Sequence, residues 1–273
     1  MNHKEIDAIV RDSLPGIKKD LIALKALKEI PTDIPKFEGR AFPGICSNIG
    51  EVLISKETRY LTEEQCYCAG GVMSFGLRKE RNKEEWGEVH KSHLSGDPRG
   101  HKDAETAAKY YEGEEKRLAP FSQELYKAVL IGLLKDIPDP DVVLIFCNPQ
   151  DGDVIQRAFT WPTGEMMFGY GSHGGCTFTL RIPFVKGEPT FSIGDTEWRH
   201  YIGLEDEELT ISVPFKDFSR WIDNLPLRSE YYTKYRQAIN YRKHMTPVEP
   251  HREVMKKFLG DLWQGGKAPD VAK

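Results

Sequence analysis

The sequence lacks the features that would place a protein outside the cell, in a membrane or on a polyanion. Cysteine occurs five times in 273 residues, an odd and sparse set that argues against a disulfide framework and leaves metal binding, catalysis or burial as its uses. No apolar run approaches the roughly 18 residues that a bilayer-spanning helix needs; the longest candidate is Val142 to Cys147. Neither sign of charge dominates, since 38 Lys and Arg against 42 Asp and Glu leave a net charge of -4. Such a balance offers no global field for nucleic acid or an anionic membrane, so neither is an expected partner. The N-terminus, from Met1-Asn2-His3-Lys4-Glu5 onward, is charged and has no apolar signal-peptide core, which makes the cytoplasm the expected location. Walker loops, nucleophile elbows and H-E-x-x-H zinc sites are absent, as are internal repeats and low-complexity segments.

What is present is an ordinary globular composition, 39% hydrophobic and 29% charged, in a chain long enough to bury a core without covalent staples. Ile6, Ile9, Val10 and Leu14 recur at helical spacing and Pro15-Gly16 supplies a stop. Ile45, Ile49, Val52 and Leu53 predict a second helix carrying Cys46 in its first turn, where the helix dipole favours a thiolate. Residues 78 to 103 are crowded with charge and contain Gly96-Asp97-Pro98-Arg99-Gly100, which reads as a surface loop or lid. A solvated helix follows from Ala104 to Leu118. Val142 to Phe146 reads as a buried strand, whereas periodicity alone leaves Leu21 to Leu27 and Lys127 to Leu134 open between helix and strand. The C-terminal half is more plainly β: Thr177 to Ile182, Thr190 to Ile193 and Leu209 to Val213 alternate with period two. Phe218, Trp221, Ile222 and Leu225 then form one stripe of a helix after Pro214.

Chemistry concentrates in Cys66-Tyr67-Cys68-Ala69-Gly70-Gly71, two thiols beside a backbone that can approach a ligand closely. A C-x-C pair lacks the two-residue gap of a zinc knuckle, but Cys46, Cys66 or Cys68, and Cys176 together would supply soft ligands suited to an iron-sulfur cluster or zinc. Cys147 ends a strand and reads as a core thiol. Gly169-Tyr170-Gly171-Ser172-His173-Gly174-Gly175-Cys176 contains a literal G-x-G-x-x-G. The β pattern that follows it, where a dinucleotide fold requires a helix, argues against that reading. The segment is either a wide turn or a ligand loop delivering His173 and Cys176 to one place, with Gly70, Gly71, Gly174 and Gly175 lining a cofactor. His90, His93 and His101 read as a solvated loop rather than a zinc site. Arg199, near Asp195 and Glu197, could orient a substrate carboxylate or phosphate, or form an ordinary surface ion pair.

Taken together these residues resemble the domain of unknown function 169, or ArCR, family over roughly residues 5 to 225. The resemblance rests on Ile22-Ala23-Leu24-Lys25 before a proline link, Cys46 in a helix, Cys68-Ala69-Gly70-Gly71 and then Gly76-Leu77, and Pro140-Asp141-Val142-Val143-Leu144-Ile145. Gly194-Asp195 with Arg199, Asp206-Glu207-Glu208-Leu209 and Val213-Pro214 complete it. It implies an α+β fold with a mixed, largely antiparallel sheet, flanking helices, and strands at Leu21 to Leu27 and Lys127 to Leu134. It also implies a single domain over 1–225; the tail, which has no counterpart in the family, reads from its own residues as a helical extension over 226–273 packed on that domain. The family's cysteines fall on Cys46, Cys68 and Cys176, with Cys66 and Cys147 outside the pattern and Ala69 where proline is frequent.

Three converging cysteines raise the expectation of a [4Fe-4S] cluster, with zinc as the alternative metal and Cys66 as an undecided fourth ligand. Three function classes follow. One is an oxygen-sensitive iron-sulfur enzyme of reductase or lyase type, in which His173 or Arg199 contacts a small-molecule substrate. Another is a non-catalytic metal-binding or carrier protein closed by four ligands. The last is a metal-free enzyme with Cys68 as nucleophile. The electron donor is not specified by any motif, and Tyr231, Tyr232, Tyr235 and Tyr241 make a homo-oligomeric contact an expectation.

Overall fold

The computed structural model describes residues 2–38, 44–66, 68–78, 101–118, 124–171 and 175–238. The first helix, α1 (His3–Ser13), starts on a reciprocal cap in which Asn2 accepts from the Glu5 amide and the Glu5 carboxylate accepts from the Asn2 amide. In order there follow β1 (Ile22–Leu27), α2 (Ile45–Ser55), β2 (Arg59–Leu61), the short α3 (Ala69–Ser74), α4 (Ala104–Arg117), β3 (Ala128–Leu133), β4 (Val142–Cys147) and α5 (Pro149–Thr163). The chain continues through β5 (Phe168–Tyr170), a π-helix (Thr177–Lys186), β6 (Thr190–Ser192), α6 (Thr196–Ile202), β7 (Leu209–Pro214), α7 (Phe215–Ile222) and α8 (Leu225–Ala238).

The strands described form one sheet in the order β2-β3-β1-β4-β7-β6-β5. Every neighbouring pair is antiparallel except β5 and β6. The fold is α+β, with helices on both faces of the sheet. This explains why β4 reads as an unbroken apolar run although its neighbours are antiparallel. Val143, Ile145 and Cys147 face a core shared with α1, α5 and α7, while Val142, Leu144 and Phe146 face a second core shared with α2, α3 and α6. Each of these fully buried side chains contributes on the order of 2 kcal/mol of transfer free energy. Both segments that periodicity left open, Leu21 to Leu27 and Lys127 to Leu134, contain central strands paired from Ile22↔Leu133 to Leu27↔Ala128.

One expected strand is overturned: Thr177 to Ile182 lies in the π-helix. Its alternating Phe178, Leu180 and Ile182 suggest period two, but Thr179, Arg181 and Pro183 are buried as well. A helix enclosed on all sides carries no polar stripe, so its pattern cannot be distinguished from that of a strand. The objection to a dinucleotide loop that relied on a following strand therefore falls. A different observation opposes that reading: the Gly175 amide, which opens the helix after the glycines, donates to Asp195 Oδ2 at 2.6 Å. The stripe from Phe218 to Leu225 is also divided, since α7 ends at Ile222 and α8 begins at Leu225.

The expected lid over 78–103 falls almost entirely outside the described residues, as do His90 and His93. His101 is buried, with its ring 5.0 Å from that of Tyr110, rather than solvated. Tyr232 packs against the core and Arg228 stacks over Trp161 at 3.7 Å, so the first turns of the C-terminal extension lie on the domain. Among the described residues no helix is long and apolar enough to cross a membrane.

Candidate functional site

Three cysteines far apart in sequence stand where helices begin. Cys46 is the second residue of α2, Cys68 is the N-cap of α3, and Cys176 immediately precedes the π-helix. All three belong to, or pack against, the core on one face of the sheet. The thiol of Cys176 interacts with those of both Cys46 and Cys68. A Cβ placed on Gly44 would lie 3.5 Å from both Cys46 Sγ and Cys68 Cβ. One placed on Gly70 would lie 3.9 Å from both Cys68 Sγ and Cys176 Cβ. Of the glycines expected to line a cofactor, Gly70 borders Cys68 and Cys176 and Gly71 borders Cys66, whereas Gly175 packs against Asp195 and Trp198.

The electrostatics differ sharply within the group. Cys68 is lowered to about 6, chiefly because Cys176 donates to its sulfur. Burial opposes this, the amides of Gly71 and Gly70 reinforce it, and the charge of Asp195 opposes it. Cys176 moves in the opposite direction and holds its proton well above the ordinary thiol range, through its bonds to Cys46 and Cys68 and through burial. Cys66 is pushed up to about 12, first by burial and then by the neighbouring charge of Cys68. Burial likewise raises Cys147, which lies in the core on the other face of the sheet. At neutral pH Cys68 is therefore a thiolate, with the protonated Cys176 beside it.

Polar side chains tie the cysteine-bearing segments together. The fully buried Ser74 hydroxyl, one turn along α3, lies between the carbonyls of Gly70 and Cys176, the latter at 3.0 Å. Asp195 caps α6 through the Trp198 amide at 2.6 Å while its other oxygen accepts from Gly175. Ser47 closes the first turn of α2 by accepting from the Gly44 amide and donating to the Gly44 carbonyl. α2 crosses α6 so closely that a Cβ on Gly50 would lie 2.0 Å from the Tyr201 carbonyl oxygen. Ser74 carries no motif and went unnoticed in the sequence. Its role depends on a carbonyl 102 residues away.

Not every expected residue joins this group. The Arg199 guanidinium donates to the carbonyls of Ile193, Glu208 and Glu205, so it staples the loops around α6. His173 and Gly174 lie outside the described residues. A cavity of about 670 Å³, bordered by Phe159, Met166, Phe168 and Lys216, opens among elements that pack on the opposite core and is separate from the thiols. Among the described residues no group of three or more His, Cys, Asp and Glu side chains has metal-holding geometry as it stands. The thiols instead satisfy one another through hydrogen bonds. Their chemistry nonetheless suits a soft metal, because thiolates from three separate segments are the donor set of iron-sulfur and zinc centres.

No curated protein and no solved structure matches the chain. Residues 13–224 match the family described as domain of unknown function 169, uncharacterised ArCR. They span both cores and all three converging cysteines, and the chain belongs to that family.

Proposed function

We propose that Cys46, Cys68 and Cys176 hold a metal centre, in the first instance a [4Fe-4S] cluster, and that the protein uses it on a small-molecule substrate as a reductase or lyase. The observation that supports this reading is the meeting of three thiols from residues 46, 68 and 176, one of them a thiolate near neutral pH. The amides of Gly70 and Gly71 that stabilise Cys68 would continue to stabilise its charge as a ligand. Loading such a centre releases the Cys176 proton, so metal affinity rises with pH. A bound cluster would supply electron transfer or Lewis acidity at an iron lacking a cysteine ligand. His173, three residues before Cys176 in the glycine loop, is the proposed substrate contact. Zinc on the same donors is the alternative metal, and a cytoplasmic setting, where thiols stay reduced, accords with either.

Anaerobic purification with iron, sulfide and zinc determinations and a visible spectrum tests the reading. Iron and sulfide that disappear in Cys68→Ala support the cluster, and zinc that disappears in the same variant supports the alternative metal. A colourless, metal-free protein would overturn both. One observation favours a second, metal-free reading, that Cys68 is a nucleophile: its thiolate is already formed near neutrality with Cys176 beside it as a proton donor. Metal-free protein that loses activity in Cys68→Ala would establish that reading instead.

A further inference from the structure

The cavity of about 670 Å³ takes no part in the thiol site, and its lining combines features that a plain surface hollow lacks. Its volume lies within the roughly 300 to 1,000 Å³ of ligand pockets. It opens where β5 and β6 begin and where α7 follows β7. Phe159 supplies a buried apolar wall, and Met166 and Phe168 border the cavity with 69% and 59% of their surfaces exposed. Large apolar side chains gathered at one cavity, rather than scattered singly, mark a binding surface. Phe168 and Gly169 also open β5, the last strand of the sheet among the described residues, and no described strand lies on their outer side. Such an edge accepts an extended backbone.

Charge of both signs lines the same cavity. Asp217 and Arg220 pair with each other at 3.2 Å. Lys216, one turn before Arg220 on α7, holds its ammonium over Gly187, 2.6 Å from where a Cβ would stand. The glycine thus keeps open the space that this ammonium occupies. Glu165 and Glu188 line the cavity as well. Among the described residues, the side chains of Lys216, Glu165 and Glu188 make no ion pair or hydrogen bond. Opposite charges that share a cavity without meeting are completed by a ligand that carries both. We propose that the cavity binds a short apolar peptide with free termini, extended beside the start of β5. Glu165 and Glu188 take its ammonium, Lys216 takes its carboxylate, and Phe159, Met166 and Phe168 take its apolar side chains. A peptide of two or three residues separates its two charges and presents amides to the strand edge, which a single amino acid does not. The proposal does not depend on the thiols holding a metal.

Calorimetric titration of the full-length chain tests it, with the tripeptide leucyl-alanyl-phenylalanine, its N-acetylated and C-amidated forms, and free phenylalanine as probes. Wild type binds the tripeptide with a Kd below about 1 mM. Blocking either terminus weakens binding about 3- to 5-fold, the size of an exposed ion pair, and Phe168→Ala weakens it about 10-fold. In Lys216→Ala, amidation no longer matters while acetylation still does. In the double variant Glu165→Gln, Glu188→Gln the dependence is reversed. That crossed pattern arises only if these side chains meet the termini. Bound tripeptide also slows hydrogen exchange over residues 166–169. The substituted side chains are all exposed, so the variants keep the wild-type urea transition and a loss of binding reports on the cavity. Absence of binding at about 1 mM tripeptide overturns the proposal. Equal affinity for free and blocked peptides overturns it too, as does phenylalanine binding as tightly as the tripeptide.

Discussion

The thiol of Cys176 donates to the sulfur of Cys68, and the two shift in opposite directions: Cys68 down to about 6, Cys176 well above the ordinary thiol value. Alkylation of metal-free protein should follow this division. Cys68 reacts with a midpoint near pH 6, while Cys176 and Cys66 stay protected through neutral pH. Cys176→Ala removes the donor and moves the Cys68 midpoint up toward 9.0. A Cys68 midpoint that stays near 6 in that variant would show that the amides of Gly70 and Gly71 suffice alone. The linkage signs are opposed as well. Because Cys68 binds its proton less tightly when folded, its contribution to stability is complete above about 9 and is lost as pH falls through 6. That of Cys176 is present at low pH and lost as pH rises above 9.0. Reactivity mapped residue by residue therefore separates the two, whereas a stability curve sums them.

Gly71→Ala should destabilise the protein. Alanine in helix α3 gains up to about 1 kcal/mol of helix propensity over glycine. Its methyl would meet Cys66 Sγ at 3.0 Å and Ile45 Cγ1 at 3.3 Å, both buried, and overpacking of that kind costs about 1 to 3 kcal/mol. The clash wins, with a net loss of about 1 kcal/mol readable by urea unfolding.

Asp195→Ala should loosen α6 and the start of the π-helix together. It removes the cap on the Trp198 amide and the partner of the Gly175 amide, each at 2.6 Å. Loss of an N-cap costs about 1 kcal/mol, and the unpaired Gly175 amide adds about 1 kcal/mol more. Hydrogen exchange over residues 175–186 should accelerate along with that of α6. Exchange confined to α6 would show that Asp195 acts only as a cap.

Arg199 separates a stapling role from a catalytic one. Its three carbonyl partners predict that Arg199→Ala lowers unfolding free energy by about 1 to 2 kcal/mol, toward the lower end for a charged donor because the side chain is partly exposed. Metal content should stay at the wild-type level. Unchanged stability with loss of substrate binding would return Arg199 to the role of an anion contact.

Local pattern alone was enough for much of the chain. The amphipathic α1, the helix carrying Cys46, the buried strand β4, and the three cysteines as a candidate set could be read from spacing and from the family resemblance. These features are legible because a helix stripe or a β-branched run reports burial directly in sequence. The tertiary structure decided what depended on distant partners. Thr177 to Ile182 lies in a π-helix in which residues 178–183 are all buried, and that enclosure erases the period that would have identified it. Ser74 and Asp195 acquired their roles from the Cys176 carbonyl and the Gly175 amide. Hydrogen bonding to a backbone group elsewhere in the chain leaves no periodic trace, and only folding brings such pairs together.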